Sequence, residues 1–198
     1  MSDVVLASGS ATRQRLLKDA GVVFSVGIPN VDESAVLESL AAEGASAREA
    51  GDVLAELKAV KVSARHPAAF VIGGDQILSV EREFLRKPGD MKEARDQLKA
   101  LRGRTHVLTS AVVVAREGSA VWRDVREARL TMRAFSDAFL EHYLAHGGAD
   151  ILGSVGAYRV EGMGIQLFSR MEGDHFTIQG LPLLPLLDFL RTHGVVKE

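Results

Sequence analysis

The first strand-and-turn segment of this chain constrains its fold more than any other. The apolar run Val4-Val5-Leu6-Ala7 is followed by the small residues Ser8-Gly9-Ser10, and a helical pattern from Ala11 to Ala20 ends at Gly21. A buried strand that passes through a tight turn directly into a helix is typical of α/β proteins. The start of such a helix directs unpaired backbone N–H groups toward a bound anion. The segment therefore predicts an anion site, although a serine cap before a surface helix gives the same pattern.

Side chains of the same segment suit a phosphate group. Ser8 and Ser10 carry hydroxyl donors, and Arg13 carries a planar guanidinium that can bind phosphate through two parallel hydrogen bonds. Ser8 and Arg13 are therefore the first candidates for phosphate binding.

Composition excludes several classes of function. The 198 residues are 46% hydrophobic and 25% charged, as in ordinary globular proteins, and residues 1–198 fit a single domain. The net charge of −2 and the lack of a basic stripe disfavour nucleic-acid binding. Without cysteine there is no disulfide and no thiolate metal site. No apolar run is long enough to span a membrane and no leader pattern is visible, so we expect a cytoplasmic protein without membrane partners.

Hydrophobic patterns predict a mixture of strands and helices along the rest of the chain. The predicted strands are Val22 to Ile28, Ala69 to Gly74 with a continuation from Ile77 to Val80, Phe84 to Arg86, Thr105 to Ala115, Ala120 to Thr131, Ile165 to Met171, and a segment between Asp174 and Gly180. The further predicted helices lie between a loop at 31–34 and Arg65, after Asp90, from Ser136 to His146, and from Pro182 onward. This mixture, with one long hairpin, indicates an α/β fold with a mixed sheet.

Asp75 is the second candidate for chemistry. It is expected at the carboxyl end of an apolar strand, directly after Gly73-Gly74. Ligands of open α/β sheets bind at that edge, and a carboxylate there could accept a proton from water or bind a divalent cation. A turn-forming aspartate after a strand is the alternative.

Two lysines are candidates to offset phosphate charge. Lys87 precedes Pro88, which keeps the preceding backbone extended and so could aim the ammonium group as a point charge. Lys58 lies beside a helical face that is formed by Leu54, Leu57 and Lys61. Both positions also fit ordinary solvated lysines.

Carboxylates occur in two further segments. Asp32-Glu33 follow the second predicted strand, where they could bind a hard cation or begin the next helix. The glycine-rich loop from Gly156 to Gly162 contains Tyr158 and Glu161. These two side chains could stack on a base and accept hydrogen bonds from its edge, or the loop could be a plain connection.

Other common site patterns are missing from the sequence. The six histidines do not follow a metal-binding spacing, and GxGxxG, Walker A and nucleophile-elbow motifs do not occur. These absences disfavour zinc, dinucleotide, ATPase and serine-hydrolase chemistry.

Taken in order, the motifs resemble those of the Maf family of nucleoside triphosphate pyrophosphatases. The matching segments run along nearly the whole chain and comprise Leu6-Ala7-Ser8-Gly9-Ser10 with Arg13 and Leu16-Leu17, Val31-Asp32-Glu33, Lys58-Ala59, Ile72 to Gln76, Lys87-Pro88, Leu101 to His106, Gly162 to Gly173, and Gly180 to Leu183. Many short motifs in one order are more specific than any single motif.

The resemblance implies a fold, a reaction and partners. The fold would be a mixed twisted sheet flanked by helices, with two lobes around a central cleft, as in the inosine triphosphatases. The reaction would be the metal-dependent hydrolysis of the α–β phosphate bond of a nucleoside triphosphate, carried out by a homodimer. By position, Asp75 would be the family's general base. The phosphates would be bound by Ser8, Arg13, Lys58 and Lys87. The ligands to Mg²⁺ or Mn²⁺ would be Glu33 and Asp75.

The resemblance leaves the base open between two branches of the family. Gln76 and Glu161 match the branch that acts on 7-methyl-GTP, and a carboxylate suits the N–H donors of guanine. Thr12 matches neither branch, since the 7-methyl-GTP branch carries tryptophan there and the dTTP/UTP branch carries arginine. Thr12, Gln76 and Glu161 are therefore the candidate base-binding residues. We expect a guanine-type or modified purine nucleotide, with dTTP or UTP as the alternative.

A function without catalysis is a further alternative. The resemblance also implies a link to septum formation and division arrest, which would fit a regulator that binds a nucleotide without cleaving it. The combination of Asp75, Lys58 and Lys87 favours an enzyme.

Overall fold

A mixed sheet forms the frame of the protein. The computed structural model describes residues 3–81 and 83–197. Within these ranges the strands are β1 (Val4–Ala7), β2 (Ser25–Val26), β3 (Phe70–Val80), β4 (Glu83–Leu85), β5 (Thr105–Arg116), β6 (Ser119–Met132) and β7 (Phe168–Glu172). They lie in the order β2-β1-β3-β5-β6-β7, with β4 paired to β3. Strand β1 is parallel to β2 and β3, whereas the other pairs are antiparallel, which confirms the predicted mixed sheet.

Helices accompany the sheet along the described part of the chain. They are α1 (Ala11–Asp19), α2 (Glu33–Ala42), α3 (Ala47–Ser63), α4 (Met91–Leu101), α5 (Asp137–Gly147), α6 (His175–Ile178) and α7 (Leu183–Thr192). Three 3-10 turns cover Gly148–Gly153, Val155–Ala157 and Met163–Leu167. The side chains of Ser10, Asp90 and Ser136 cap their helices as the sequence predicts, because each accepts a hydrogen bond from a backbone N–H of the first turn.

The long strands carry a hydrophobic cluster toward each end. One cluster joins Ile72 of β3 and Val114 of β5 to Leu17 of α1 and Leu186 of α7. The other joins the opposite end of the same two strands to α4 and α5, with Leu78, Leu108, Leu98 and Leu144 among its members. These clusters are the cores of the two expected lobes.

A gap along one edge of β3 opens the protein between the lobes. On this edge β1 pairs with β3 as far as Gly73, and β4 pairs with it again from Leu78. Between these two points no strand in the described ranges covers residues 74–77. Asp75 and Gln76 therefore lie in a continuous strand that pairs with β5 on one edge. On the other edge, no strand in the described ranges pairs with these two residues.

Helix α3 packs closely on the sheet beside this gap. Its Ala55 and Ala59 lie against Ala111 and Val113 of β5. A Cβ atom on Gly73 would overlap the carbonyl oxygen of Ala55 and lie 2.7 Å from the backbone nitrogen of Ala59. Only glycine at position 73 allows this close approach of helix and strand.

The surroundings of two predicted site residues differ from the sequence expectation. Asp75 does not end a strand, because β5 pairs with β3 without interruption through this residue. Lys58 is not a solvated lysine, since it is 4% exposed on the sheet-facing side of α3, whereas Leu57 is 41% exposed. The buried face of α3 therefore includes Lys58 and excludes Leu57, whereas the sequence predicts a face formed by Leu54, Leu57 and Lys61.

Several predicted boundaries also need correction. The second strand is confined to Ser25–Val26, since these are the residues that pair with β1. Helix α2 begins at Glu33, within the predicted loop at 31–34. The strand predicted to begin at Ile165 begins instead at Phe168, after a 3-10 turn. The segment predicted as a strand between Asp174 and Gly180 is helix α6, because Asp174 caps its first turn.

No helix in the two described ranges is long and apolar enough to cross a bilayer.

Candidate active site

A cleft of about 840 Å³ lies between the lobes, at the gap along β3. The structure brings every site residue predicted from the sequence to its wall. These residues are Ser8, Thr12, Arg13, Glu33, Lys58, Asp75, Gln76, Lys87 and Glu161.

The turn between β1 and α1 forms one wall of the cleft. Ser10 caps α1 by accepting a hydrogen bond from the backbone nitrogen of Arg13 at 3.4 Å. The hydroxyl of Ser8 accepts from the backbone nitrogen of Ser10 at 3.2 Å and from Nη1 of Arg13 at 3.3 Å. These contacts arrange a helix N-terminus, a hydroxyl group and a guanidinium around one point, which is the chemistry of a phosphate site.

Arg13 is a buried cation whose hydrogen-bond partners are neutral. Its Nε donates to the carbonyl oxygen of Gly180 at 2.8 Å, and its side chain lies against Gly74 of β3. Burial lowers the pKa of this guanidinium, while the carboxylates of Asp75 and Glu33 act in the opposite direction. Within residues 3–81 and 83–197 no carboxylate is bonded directly to this buried guanidinium, which is therefore suited to bind an anionic ligand.

Lys58 connects the two predicted acidic residues. Its Nζ lies 2.5 Å from Oδ1 of Asp75 and 2.8 Å from Oε2 of Glu33. The side chains of Lys58 and Asp75 are 5% and 7% exposed, whereas that of Glu33 is 49% exposed. The three residues therefore form a charged triad, in which Lys58 and Asp75 are buried and Glu33 is half-exposed at the cleft.

Lys87 enters the cleft from the segment between β4 and α4. The residue is exposed and the following Pro88 is buried, so the backbone at this point is anchored. The side chain of Gln97 donates to the carbonyl oxygen of Arg86 at 2.8 Å, and Arg86 pairs with Glu38 of α2 at 2.7 Å. Lys87 is therefore a solvent-exposed cation on a segment that the contacts of Arg86 hold in place.

Gln76 is held by its amide nitrogen. Nε2 donates to Oγ of Ser110 at 3.0 Å and lies 3.2 and 3.1 Å from the carbonyl oxygens of Thr177 and Ile178. Ser110 donates its own hydroxyl proton to Thr177 at 2.8 Å, so it acts as the acceptor toward Gln76. The donors of this amide are therefore engaged, and its carbonyl oxygen Oε1 is the atom available to a ligand.

Glu161 lines the cleft and is paired to two arginines. Its Oε1 accepts from Nη2 of Arg15 at 3.2 Å and from Nε and Nη2 of Arg159, both at 3.3 Å. Arg15 also donates to Oε1 of Gln179 at 2.7 Å. The sequence predicts a site role for neither Arg15 nor Gln179, because nothing in it shows that residues so far apart meet.

The structure gives Tyr158 a different position from the one expected. The residue is 5% exposed, and its hydroxyl lies 2.6 Å from Nε2 of the buried His106. Its ring also packs edge-on against Phe168 with the centroids 4.9 Å apart. Tyr158 thus borders the cleft as part of the core and does not offer a ring face for stacking.

The carboxylates of the cleft allow a simple test for a metal site. In the described part of the chain no group of three or more histidine, aspartate or glutamate side chains is arranged to hold a metal ion. Asp75 and Glu33 nevertheless converge on the same Lys58 nitrogen. The Lys58 ammonium occupies the point between them, so a Mg²⁺ or Mn²⁺ ion would bind beside it and take its remaining ligands from substrate phosphates and water.

The sequence is similar over nearly its full length to known proteins. A family model described as Maf-like protein matches residues 3–193. A Rhodospirillum rubrum protein named nucleoside triphosphate pyrophosphatase is 56% identical over 98% of this chain and 96% of its own length. A Caulobacter vibrioides protein of the same name is 51% identical over 99% of this chain and 98% of its own length. A Brucella abortus protein named 7-methyl-GTP pyrophosphatase is 50% identical over 95% of this chain and 94% of its own length.

Proposed function

Because the chain belongs to the Maf-like protein family, we propose that it is a nucleoside triphosphate pyrophosphatase. It would hydrolyse the anhydride bond between the α- and β-phosphates to give a nucleoside monophosphate and pyrophosphate. The two relatives named nucleoside triphosphate pyrophosphatase align with 98% and 99% of this chain, which supports the transfer of the reaction to it.

The observation that carries the proposal is the meeting of a buried cation pair and a buried carboxylate at one cleft. Arg13 and Lys58 lie inside the wall, and Lys87 lies at its surface. A triphosphate bound there would have positive charge on several sides, which stabilises the charge that develops on its oxygens in the transition state. A neutral ligand would gain little from this arrangement.

In this proposal Asp75 acts as the general base. Its carboxylate accepts a proton from the attacking water, the water oxygen forms a new bond to phosphorus, and the α–β anhydride bond breaks. Lys58 fixes one oxygen of Asp75 through a 2.5 Å contact, so the other oxygen is the one that faces the water. Ser8 and Arg13 would bind the phosphates from the α1 side and Lys87 from the opposite lobe.

A divalent cation fits the acidic side of the cleft. Glu33 and Asp75 would hold Mg²⁺ or Mn²⁺ together with phosphate oxygens. When bound, such an ion supplies charge neutralisation on the leaving pyrophosphate. Because the side chain of Glu33 is 49% exposed, Glu33 is the residue that can turn from Lys58 toward the ion.

A guanine-type base, including 7-methylguanine, is our proposed ligand for the part of the cleft that Gln76 and Glu161 line. Gln76 offers a carbonyl oxygen there and Glu161 a carboxylate, so both present acceptors to the base. Guanine offers N–H donors at N1 and N2, whereas uracil and thymine offer one at N3. The relative named 7-methyl-GTP pyrophosphatase supports the same choice.

Pyrophosphate release from a nucleotide panel tests the proposal. The wild-type protein with Mg²⁺ or Mn²⁺ is assayed against GTP, 7-methyl-GTP, ATP, UTP and dTTP, beside Asp75→Asn and the control Asp124→Asn, whose carboxylate pairs with Arg126 on β6. We expect Asp75→Asn to lose a factor of about 10² to 10⁴ in kcat, and Asp124→Asn to keep its activity. Full activity of Asp75→Asn would refute the general-base assignment. Nucleotide binding without turnover by the wild type would point instead to a regulatory binding protein.

A further inference from the structure

We infer that Gln179 and Glu161 recognise the base together, and that Arg15 positions both from behind the wall of the cleft. The ligand class is a purine with a carbonyl at position 6, such as guanine or hypoxanthine. The inference rests on the proposed function, since it concerns the base of the same nucleotide. It adds two residues that the family motifs do not contain.

The location of the three side chains defines their roles. Glu161 and Gln179 line the cleft on one side and a second cavity of about 410 Å³ on the other. Arg15 lines the second cavity rather than the cleft. Arg15 is therefore a positioning residue, whereas Glu161 and Gln179 can touch a ligand.

Arg15 fixes the orientation of the Gln179 amide. A guanidinium has only donors, so the amide atom 2.7 Å from Nη2 of Arg15 is the oxygen. The NH₂ group of Gln179 consequently points away from Arg15 and is the group left for the cleft. The same Nη2 also donates to Oε1 of Glu161 at 3.2 Å, so one nitrogen sets the position of both side chains.

The same contacts orient the carboxylate of Glu161. Arg15 and Arg159 both donate to Oε1, and Glu161 has a side chain that is only 18% exposed. Its second oxygen, Oε2, is thereby the acceptor that is directed to a ligand. The wall therefore presents an N–H donor from Gln179 next to an oxygen acceptor from Glu161.

This donor–acceptor pair matches one kind of purine edge. Hypoxanthine and guanine carry an acceptor at O6 next to a donor at N1, and guanine adds the donor at N2. Adenine carries the opposite pattern, with a donor at N6 and an acceptor at N1. A site whose polar groups are left unpaired by the wrong base rejects it strongly. Methylation at N7 adds positive charge to the ring, which strengthens a hydrogen bond from N1–H to a carboxylate.

Gln76 cannot take the place of Gln179 in this recognition. Its amide nitrogen is engaged with Ser110, Thr177 and Ile178, so it can only accept a hydrogen bond from the base. Of these two amides on the cleft wall, Gln179 is the one that can donate to O6.

The experiment compares IMP with AMP, which differ at positions 6 and 1 of the base. Their dissociation constants are measured by calorimetry for the wild type, Gln179→Glu, Arg15→Met and Arg15→Lys, with Lys18→Met on the exposed face of α1 as the control. The ratio of kcat/KM for ITP and ATP is measured on the same preparations. Because the two values in each ratio come from one preparation, an unfolded fraction of the protein affects both values equally and cancels in the ratio.

We expect the wild type to bind IMP at least about tenfold more tightly than AMP. Gln179→Glu keeps the size of the side chain and its contact with Arg15, but replaces the donor with an acceptor, so the preference should fall about tenfold or more. Arg15→Met should weaken the preference severalfold and Arg15→Lys should restore part of it, while Lys18→Met should leave it unchanged.

Two results would overturn the inference. One is equal binding of IMP and AMP by the wild type, and the other is a preference that survives Gln179→Glu. Failure of the proposed function has a different signature, which is the absence of pyrophosphate release from every nucleotide. If IMP preference is present in such a protein and disappears in Gln179→Glu, base recognition stands without catalysis.

Discussion

The ammonium nitrogen of Lys58 lies 2.5 Å from the carboxylate of Asp75 inside the sheet, where both side chains are almost completely buried. A carboxylate in the middle of a paired strand has lost most of its hydration, so its charge depends on a partner. Lys58 supplies this partner from α3 and also reaches Glu33 at the surface. Stability and chemistry therefore depend on the same contact.

Removal of Lys58 alone should destabilise the protein. Lys58→Met leaves the buried carboxylate of Asp75 without its directly bonded cation, and breaking a buried pair in this way typically costs about 3–5 kcal/mol of unfolding free energy. Asp75→Asn in the same chain should recover part of this loss, because the amide needs no cation. Denaturant unfolding of the two single variants and the double variant measures the coupling. Lys61→Met serves as the control, since Lys61 contacts the backbone oxygen of Asn30 at an exposed site. Purely additive losses would show that the pair contributes no coupling energy.

The two adjacent glycines of β3 should respond differently to alanine. A Cβ on Gly73 overlaps the backbone of α3, which cannot move without separating helix and sheet, so Gly73→Ala should lose about 3 kcal/mol or more. A Cβ on Gly74 lies 3.1 Å from Nε of Arg13, which is a side-chain contact.

Gly74→Ala should consequently keep most of its stability but lose activity, because Arg13 must shift. The contact requires Arg13 to move by a few tenths of an ångström, so the loss of rate should stay below the roughly 10²-fold that a displacement near 1 Å can cost. Thermal unfolding and pyrophosphate release, measured side by side, separate the two effects. Gly153→Ala provides a stability control, because nothing lies within 4 Å of its added Cβ. Equal stability of Gly73→Ala and Gly74→Ala would contradict the packing argument.

Glu161→Gln should change the preference for the base. The variant keeps the shape of the side chain but loses the charge that strengthens a hydrogen bond from guanine N1 and N2. We expect kcat/KM for GTP to fall about tenfold relative to UTP. The assay is pyrophosphate release from both nucleotides, with Glu127→Gln on β6 as the matched control. An unchanged ratio would remove Glu161 from base recognition.

The buried His106 should make the protein less stable in mild acid. Burial lowers the pKa of this imidazole to about 4, whereas it is near 6.5 in the unfolded chain. Between these values the unfolded state binds more protons, so the free energy of unfolding falls as the pH drops from about 7 toward 4. By pH 5 the loss from this one group should be about 2 kcal/mol. His106→Gln, which does not titrate, should lose less stability than the wild type over this range in denaturant unfolding. Parallel curves for the two proteins would rule out the contribution of His106.

Local chemistry in the sequence predicts much of the fold. Ser10, Asp90 and Ser136 begin helices as expected, and Glu117-Gly118 turn between the two longest strands with positive φ. The motifs also bring the nine predicted site residues to one cleft. Their catalytic and ligand roles stay predictions, as do the divalent metal and the homodimer.

Long-range contacts account for what sequence analysis did not find. The open edge at Asp75 depends on where β1 and β4 stop along β3, and neither end is visible in β3 itself. The burial of Lys58 depends on the rotation of α3, which Gly73 permits. Arg15 and Gln179 are 164 positions apart, and only the folded chain brings them into contact.

The hydrogen bond from Arg13 to the carbonyl oxygen of Gly180 joins α1 to the segment between α6 and α7, 167 positions further along the chain. During synthesis the N-terminal part of a chain leaves the ribosome first. The turn before α1 is therefore made 167 positions before the backbone group that anchors its arginine. A nascent chain that has not yet reached Gly180 therefore holds Arg13 without this anchor, so the proposed phosphate site cannot be complete before that residue has been added.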